Sequence, residues 1–141
     1  MSKNTQVSNA AANAEADALS ALLATGYLRL YTTAQPANAD TAVSGQTLLS
    51  EHRFSATAAP AAAAGVITFN AITTVAAGNS GTATWFRALK SDGTTVVMDG
   101  TVGTIAAATE NLQLNSNVIS GGANVSITGF THTVNKATAG L

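Results

Sequence analysis

Hydrophobic and polar positions alternate along most of the chain that follows residue 26. In Tyr27-Leu28-Arg29-Leu30-Tyr31 both leucines fall on one face, and Arg29 falls between two tyrosines on the other. This period of two is typical of a half-buried strand. Comparable short runs recur after turn residues at intervals of about 8–12 residues, which favours a β-sandwich or jelly roll over a βαβ fold. The pattern therefore predicts an all-β domain.

The clearest predicted element is a hairpin in the middle of the chain. Residues 81–90 and 94–98 are rich in Thr, Val and aromatic side chains, and Ser91-Asp92-Gly93 separates them. A short turn with glycine where the backbone needs a positive φ is a strong hairpin signal. Asp99-Gly100 predicts a further turn. Later in the chain, the alternation places Val125 and Ile127 inside and predicts a bulge at Gly129.

The first 26 residues follow a different pattern. Residues 9–24 are rich in alanine, the best helix former, and leucines at positions 19, 22 and 23 share one face at spacings of three and four. Gly26 stands where a helix would stop. Because an isolated helix of this length is marginal in water, it needs a surface to pack against. Two alternatives remain: a docked helix, or an extended arm that orders on assembly.

Small side chains and few charges set this chain apart from an ordinary domain. Of its 141 residues 30 are alanine, and only 9% are charged, with a net charge of −1. Such scarce Lys and Arg cannot build the basic surface that phosphate neutralisation needs, so no nucleic-acid partner is expected. No stretch approaches the roughly 20 apolar residues of a membrane span, and the N-terminus lacks the apolar core of a signal peptide. The absence of cysteine fits a reducing compartment.

Candidate catalytic and metal-binding groups are sparse. His52 and His132 lie in strand-type sequence, and Glu51 is the one carboxylate adjacent to either of them. A metal site needs more ligands than this, so we expect no metal and no cofactor. Asp92 and Asp99 each precede glycine, which turn chemistry explains without catalysis. We therefore expect the chain not to be an enzyme.

Trp85 and Phe86 are adjacent on a predicted strand and so face opposite sides of the sheet. One of them is expected in the core. The other is a candidate anchor at a protein interface, with Arg87 on the face of Trp85. The alternatives are a core Trp85 with Phe86 partly covered by the N-terminal segment, and Trp85 as a platform for a sugar ring.

The strand and turn motifs resemble those of small virion proteins of tailed bacteriophages, and among these the capsid decoration or cement proteins. The similarity spans roughly residues 27–134. It is carried by Gly81-Thr82-Ala83-Thr84-Trp85-Phe86-Arg87, Ser91-Asp92-Gly93, Asp99-Gly100-Thr101-Val102-Gly103 and Phe130-Thr131-His132-Thr133, and by the opening strand Leu30-Tyr31 with Pro36-Ala37 and Leu48-Leu49 after it.

This resemblance implies a single jelly-roll-like β-sandwich at residues 27–134, with an N-terminal helix or arm at residues 1–26 and a loose tail at residues 135–141. It implies a homotrimer on the capsid surface of the virion, assembled in the host cytoplasm, with the major capsid protein as partner and no catalytic residues. Two alternatives remain. One is another virion part, such as a tail, neck or head fibre, and the other is a carbohydrate- or receptor-binding sandwich with Trp85, Tyr27 or Tyr31 as a stacking platform. The candidate interface residues are Leu19, Leu22, Leu23, Tyr27, Tyr31, Trp85 and Arg87.

Overall fold

Within residues 5–104, 110 and 112–136, which the computed structural model describes, one helix precedes eleven strands. The helix α1 spans Asn9–Leu22. The strands are β1 (Tyr27–Tyr31), β2 (Leu48–Arg53), β3 (Val66–Thr68), β4 (Val75–Ala76), β5 (Gly81–Thr82), β6 (Trp85–Leu89), β7 (Val96–Thr104), β8 (Leu112–Leu114), β9 (Val118–Ile119), β10 (Asn124–Val125) and β11 (Ile127–Thr133). This content confirms the predicted all-β class.

Seven of the strands form one sheet in the order β2-β1-β6-β7-β8-β11-β3. Neighbouring strands are antiparallel except β7 and β8, which run parallel. Two small sheets, β4 with β10 and β5 with β9, complete the described strands. The predicted bulge is present, because the register of β11 against β8 shifts between Ile127 and Gly129.

The predicted hairpin is confirmed as β6 and β7, with the turn between them. Gly93 takes a φ of 71°, which glycine adopts without steric cost. The carboxylate of Asp92 accepts hydrogen bonds from the backbone N–H groups of Thr94 and Thr95 and from the Thr95 hydroxyl. These bonds favour the ionised carboxylate and hold the pKa of Asp92 far below its usual value. The turn chemistry of Asp92 is therefore structural.

The predicted turn at Asp99-Gly100 is wrong, since both residues lie inside β7. A Cβ at Gly100 would come 2.6 Å from Cε1 of Phe86, its cross-strand neighbour. Glycine is needed here because the Phe86 ring occupies that space, not because the chain turns. Close approach and turning are both common reasons for glycine, and the two are not distinguishable from the dipeptide alone.

The core lies on the face of the large sheet that carries Phe86, and phenylalanine rings dominate it. Phe69 stacks on Phe130 with ring centroids 4.3 Å apart, and Phe86 meets Phe130 edge-on at 5.2 Å. Phe54 packs against Phe69 at 5.4 Å. Leucines from β1, β2 and β8 and alanines from loops fill the rest of this cluster. The four phenylalanines thus join strands that are far apart in sequence into one core.

The N-terminal segment is a docked helix and not an extended arm. Ser8 caps it by accepting a hydrogen bond from the backbone N–H of Ala11. Side chains of the helix bond the rest of the chain: Asn13 accepts from the backbone N–H of Gly65, and Asp17 accepts from that of Ala62. Short polar side chains therefore hold a helix whose buried face consists mainly of alanine.

The predicted leucine face of this helix divides in the structure. Leu23 is fully buried and Leu19 is half-buried, but Leu22 is 45% exposed. The helix also ends differently from the prediction at Gly26. The residue with a left-handed backbone is Thr25, at a φ of 54°. Gly26 has another role, since a Cβ there would collide with the carbonyl oxygen of Leu89.

The predicted C-terminal tail begins at residue 135, and residues 137–141 lie outside the described residues. The carbonyl of Lys136 accepts a hydrogen bond from the backbone N–H of Val7. Its ammonium group donates to the side chain of Asn9 at 2.8 Å. The described start of the tail therefore contacts the beginning of the helix.

Candidate functional site

The outer face of the large sheet, opposite the phenylalanine core, carries a row of four charged residues. Arg29 on β1 pairs in register with Glu51 on β2 and with Arg87 on β6, and Arg87 pairs with Asp99 on β7. The order across the four strands is acid, arginine, arginine, acid. Each arginine is compensated by one outer carboxylate, and the two arginines are direct neighbours.

Arg87 is a buried member of this row that is hydrogen-bonded through two of its nitrogens. Its Nε donates to Oδ1 of Asp99 at 2.7 Å and its Nη2 to Oδ2 at 2.8 Å, which is a two-point pairing. Both side chains are almost fully buried, at 5% and 3% exposure. The hydrogen bond to Asp99 raises the pKa of the Arg87 guanidinium above its usual value. The group therefore stays charged and joins β6 to β7.

Arg29 is held more loosely than Arg87. Its Nε donates to Oε2 of Glu51 at 2.6 Å, while the two side chains remain 26% and 40% exposed. The guanidinium carbon also lies 5.8 Å from the centre of the Tyr27 ring. Arg53 covers the same ring at 4.1 Å and donates to its hydroxyl group. The outer face is thus lined with cations and aromatic rings.

Tyr31 and Trp85 form a stacked pair on this outer face, with ring centroids 4.6 Å apart and planes 15° from parallel. Trp85 is fully buried and Tyr31 is 6% exposed. In the described part of the chain, the indole Nε1 of Trp85 is a buried donor without an acceptor. Both sides of the sheet are therefore covered at β6, where Phe86 is buried as well.

The cover over the outer face is the loop at residues 32–47, here called the strap. The carbonyl of Thr41 accepts from Nη2 of Arg87 at 2.8 Å, and that of Thr33 accepts from the hydroxyl of Thr84. The side chain of Gln46 closes the strap on itself by donating to the carbonyl of Ala34. The strap is thus attached through the side chain of Arg87 on β6 and that of Thr84 directly before β6.

A cavity of about 660 Å³ lies between the strap, the outer face and the turn of the β6–β7 hairpin. Arg29, Tyr31 and Arg87 come from the sheet. Small and apolar side chains complete the walls, and Asp40 adds a carboxylate from the strap. The lining residues are Arg29, Tyr31, Ala39, Asp40, Thr41, Ala42, Val43, Arg87, Leu89, Gly93, Thr94, Thr95 and Val96.

A second cavity of about 410 Å³ is lined by three titratable residues, Asp99, Glu110 and His132. Both carboxylate oxygens of Asp99 accept from Arg87. Partial burial lowers the pKa of His132, so its imidazole is neutral at pH 7. The lining of this cavity therefore includes Glu110 and a neutral histidine, together with Phe86 and Met98.

His52 lies on the core face of β2 with both ring nitrogens bonded. Its Nδ1 donates to the carbonyl of Thr73 at 2.7 Å, and its Nε2 is 2.9 Å from the hydroxyl of Ser50. Desolvation lowers the pKa of His52, and the bond to Thr73 opposes this in part. Although a serine beside a histidine has the form of a nucleophile and its base, Ser50 is 4% exposed and His52 fully buried. The pair links β2 to the segment before β4.

We expect His52 to make the fold sensitive to acid. Its folded-state pKa lies below the ordinary 6.5, so below pH 6.5 the unfolded chain binds more protons and stability falls. His52→Gln keeps a donor for Thr73 and an acceptor for Ser50 but does not titrate. Urea unfolding of the parent and of His52→Gln from pH 7.5 to 5 measures this effect. The free energy of unfolding should fall less with acid in the variant than in the parent. His132→Gln is the control, with a smaller effect because His132 is only half-buried; identical pH profiles for His52→Gln and the parent would contradict the prediction.

The candidate interface residues divide between core, covered face and surface. Leu23, Tyr31, Trp85 and Arg87 are buried, so the packing of helix and strap removes them from an exposed contact surface of this chain. Tyr27 and Leu19 are half-buried, and Leu22 is exposed. The other large exposed apolar side chains in the described residues are Leu48 and Val118, which sequence patterning did not single out.

Sequence patterning also missed the charged row. Alternation predicts Arg29 on the outward face between two tyrosines, and this is the one local signal in the sequence for the charged row. Its partners Glu51 and Arg87 lie 22 and 58 positions further along the chain, and Asp99 was assigned to a turn. The row follows from strand register, which alternation within one strand does not specify.

The described residues contain no group of three or more His, Asp or Glu side chains arranged to hold a metal ion. No described helix is long and apolar enough to span a membrane.

Comparison of the chain with protein-family models, with curated proteins and with solved structures finds no match in any of the three.

Proposed function

We propose that the chain is a non-enzymatic structural protein of a tailed-bacteriophage virion that binds the outside of the capsid and stabilises contacts between capsomers. The resemblance of residues 27–134 to decoration proteins supports this assignment. In the same proposal the domain is a jelly-roll-like sandwich that assembles as a homotrimer on the major capsid protein. The seven-stranded sheet with small sheets beside it is compatible with that architecture.

The observation that carries most weight is the use of the few charged side chains. Arg87 and Asp99 join two strands, Asp17 attaches the helix, and Asp92 shapes a turn. Arg53 donates to the ring hydroxyl of Tyr27 and to the carbonyl of Thr25. Since these charges stabilise the chain itself, much of the remaining surface consists of small neutral side chains. With 9% charged residues and a net charge of −1, such a surface meets little electrostatic repulsion, which suits repeated, individually weak contacts with other protein in a lattice.

Exposed apolar side chains indicate where those contacts would form. Leu22 lies on the outer side of α1, and Val118, at 69% exposure, lies on β9. Large apolar side chains at the centre of an interface contribute most when water is excluded from them. In this proposal one of these two positions lies at the capsid contact.

The alternative of a sugar-binding sandwich is less well supported. A stacking platform needs an exposed ring face, yet Trp85 is fully buried and Tyr31 is stacked against it. The ring of Tyr27 is covered by Arg53. The aromatic residues suggested for that role are occupied by contacts within the chain.

Co-sedimentation with expanded phage heads that lack the protein tests the proposal. We expect the parent chain to pellet with heads at micromolar concentration but not with tail tubes. We test Leu22→Glu and Val118→Glu separately. The variant whose position lies in the contact should bind heads at least tenfold more weakly, because it buries an unpaired charge in the interface. Ser91→Glu, on the exposed hairpin turn, is the matched control with binding unchanged. A parent chain that stays in the supernatant, or that binds tail tubes only, would contradict the proposal.

Light scattering coupled to size exclusion tests the trimer separately. A mass of three chains is expected, against 14.0 kDa for one.

A further inference from the structure

The two arginines at the centre of the charged row are direct cross-strand neighbours. Arg29 and Arg87 are register partners and therefore project from the same face of the sheet. Like charges in this arrangement destabilise a sheet. Glu51 and Asp99 compensate them only from the outer sides of the row, so the space between the two guanidinium groups lacks a negative group from the sheet.

Both arginines also retain unused hydrogen-bond donors. Arg29 bonds Glu51 through Nε, and no group in the described part of the chain accepts from its Nη1 or Nη2. Arg87 uses Nε and Nη2 for Asp99 and Thr41, which leaves Nη1 without an acceptor among the described residues. Each guanidinium has five N–H donors in a fixed plane. Several donors from the two residues are therefore free to bind acceptor oxygens.

These donors border a space large enough for a ligand. Arg29 and Arg87 both line the 660 Å³ cavity under the strap. Tyr31, Leu89 and Val96 add aromatic and apolar surface beside them. Charged donors beside apolar surface can fix both ends of a ligand that has a polar head and an apolar body.

We propose that this cavity binds a carboxylate group, carried on a short apolar stem, between Arg29 and Arg87. One carboxylate places negative charge between two neighbouring cations and accepts from their free Nη groups, while its stem packs on Val96 and Leu89. The planar carboxylate matches the guanidinium fork. A doubly charged phosphate fits less well, because Glu51 and Asp99 already neutralise both arginines and Asp40 adds a further negative charge to the lining.

The chemistry is the same whether the carboxylate belongs to a small organic acid or to an acidic side chain of a protein partner. This assignment does not depend on the proposed capsid function. It depends only on the cavity and on its two arginines.

The test is titration of the isotope-labelled full chain with propionate at constant ionic strength, followed by NMR. We expect saturable shifts at the Nε–H of Arg29 and at the backbone amides of Thr41 and Thr95. Propionamide, the neutral analogue, should give none. An acetylated, amidated peptide with a central glutamate between alanines distinguishes the sources: tighter binding than propionate indicates a protein side chain, and weaker binding indicates a free acid.

Two variants locate the site. Arg29→Gln should weaken propionate binding roughly tenfold, the size expected for losing one charged hydrogen bond, and its partly exposed position leaves the core intact. Arg29→Lys keeps the positive charge but lacks the planar guanidinium fork, so its affinity for propionate should lie between those of the parent and Arg29→Gln. Lys90→Gln, which removes a cation outside the lining, is the matched control without effect. Equal binding of propionamide, equal or tighter binding of inorganic phosphate, or unchanged affinity in both Arg29 variants would overturn the proposal.

Discussion

Replacing Arg87 by methionine is expected to destabilise the fold by about 3–5 kcal/mol, because it leaves the buried carboxylate of Asp99 without its partner. Asp99 is 3% exposed, and both of its oxygens accept from Arg87. The variant also removes the donor that holds the Thr41 carbonyl, so the strap loses an attachment to the sheet. Urea unfolding at pH 7, followed by fluorescence of the single tryptophan, measures the change.

The matched control is Arg29→Met, which breaks the exposed pair with Glu51. A partly exposed ion pair contributes only about 0–1 kcal/mol, so this variant should unfold close to the parent. The double variant Arg87→Met with Asp99→Leu should recover much of the lost stability, because it removes the unpaired charge as well. Equal losses for Arg87→Met and Arg29→Met would show that burial of the inner pair does not govern its contribution.

Replacing Trp85 by alanine is expected to cost about 3–5 kcal/mol, the range for deleting a large buried aromatic side chain. Trp85 is fully buried, stacks on Tyr31 and lies 5.6 Å from the guanidinium carbon of Arg87. To fill the volume left by the indole, the strap would have to shift, and this would disturb the hydrogen bond from Arg87 to the Thr41 carbonyl. Thermal unfolding followed by circular dichroism measures the change without relying on tryptophan fluorescence.

Trp85→Phe separates packing from hydrogen bonding at this position. Phenylalanine retains an aromatic partner for Tyr31 and removes the indole Nε1, which is buried without an acceptor in the described structure. We therefore expect a loss well below that of Trp85→Ala. Val118→Ala, on an exposed side chain, should change stability by less than about 0.5 kcal/mol. Similar losses for Phe and Ala at position 85 would indicate that the ring contributes through its full size or through an interaction of Nε1.

The first strand and the central hairpin were predictable because each carries a local signal. Tyr27–Tyr31 and the β6–β7 hairpin follow from period two and from a glycine turn. The helix at Asn9–Leu22 follows from its alanine content. Each of these signals is local, since it depends on neighbours within a few positions.

The candidate site was less predictable because its residues come from four strands and a loop. Arg87 interacts with a carboxylate 12 residues away and with a carbonyl 46 residues away. Trp85 was a candidate surface anchor, since alternation places it opposite a core residue, Phe86. That inference fails because the strap covers the outer face and buries Trp85, while the core buries Phe86 on the other side.

By itself, the sequence determined the β class, the helical propensity of the N-terminal segment, the central hairpin and the scarcity of charge. Strand alternation, helix propensity and turn chemistry act over short distances and are written in consecutive residues. Only the tertiary structure decided that Gly100 makes room for a ring, that Trp85 lies under the strap, and that Arg29 and Arg87 meet at a cavity. These outcomes depend on register between strands and on which loop covers which face, and both are set by packing among residues far apart in the chain.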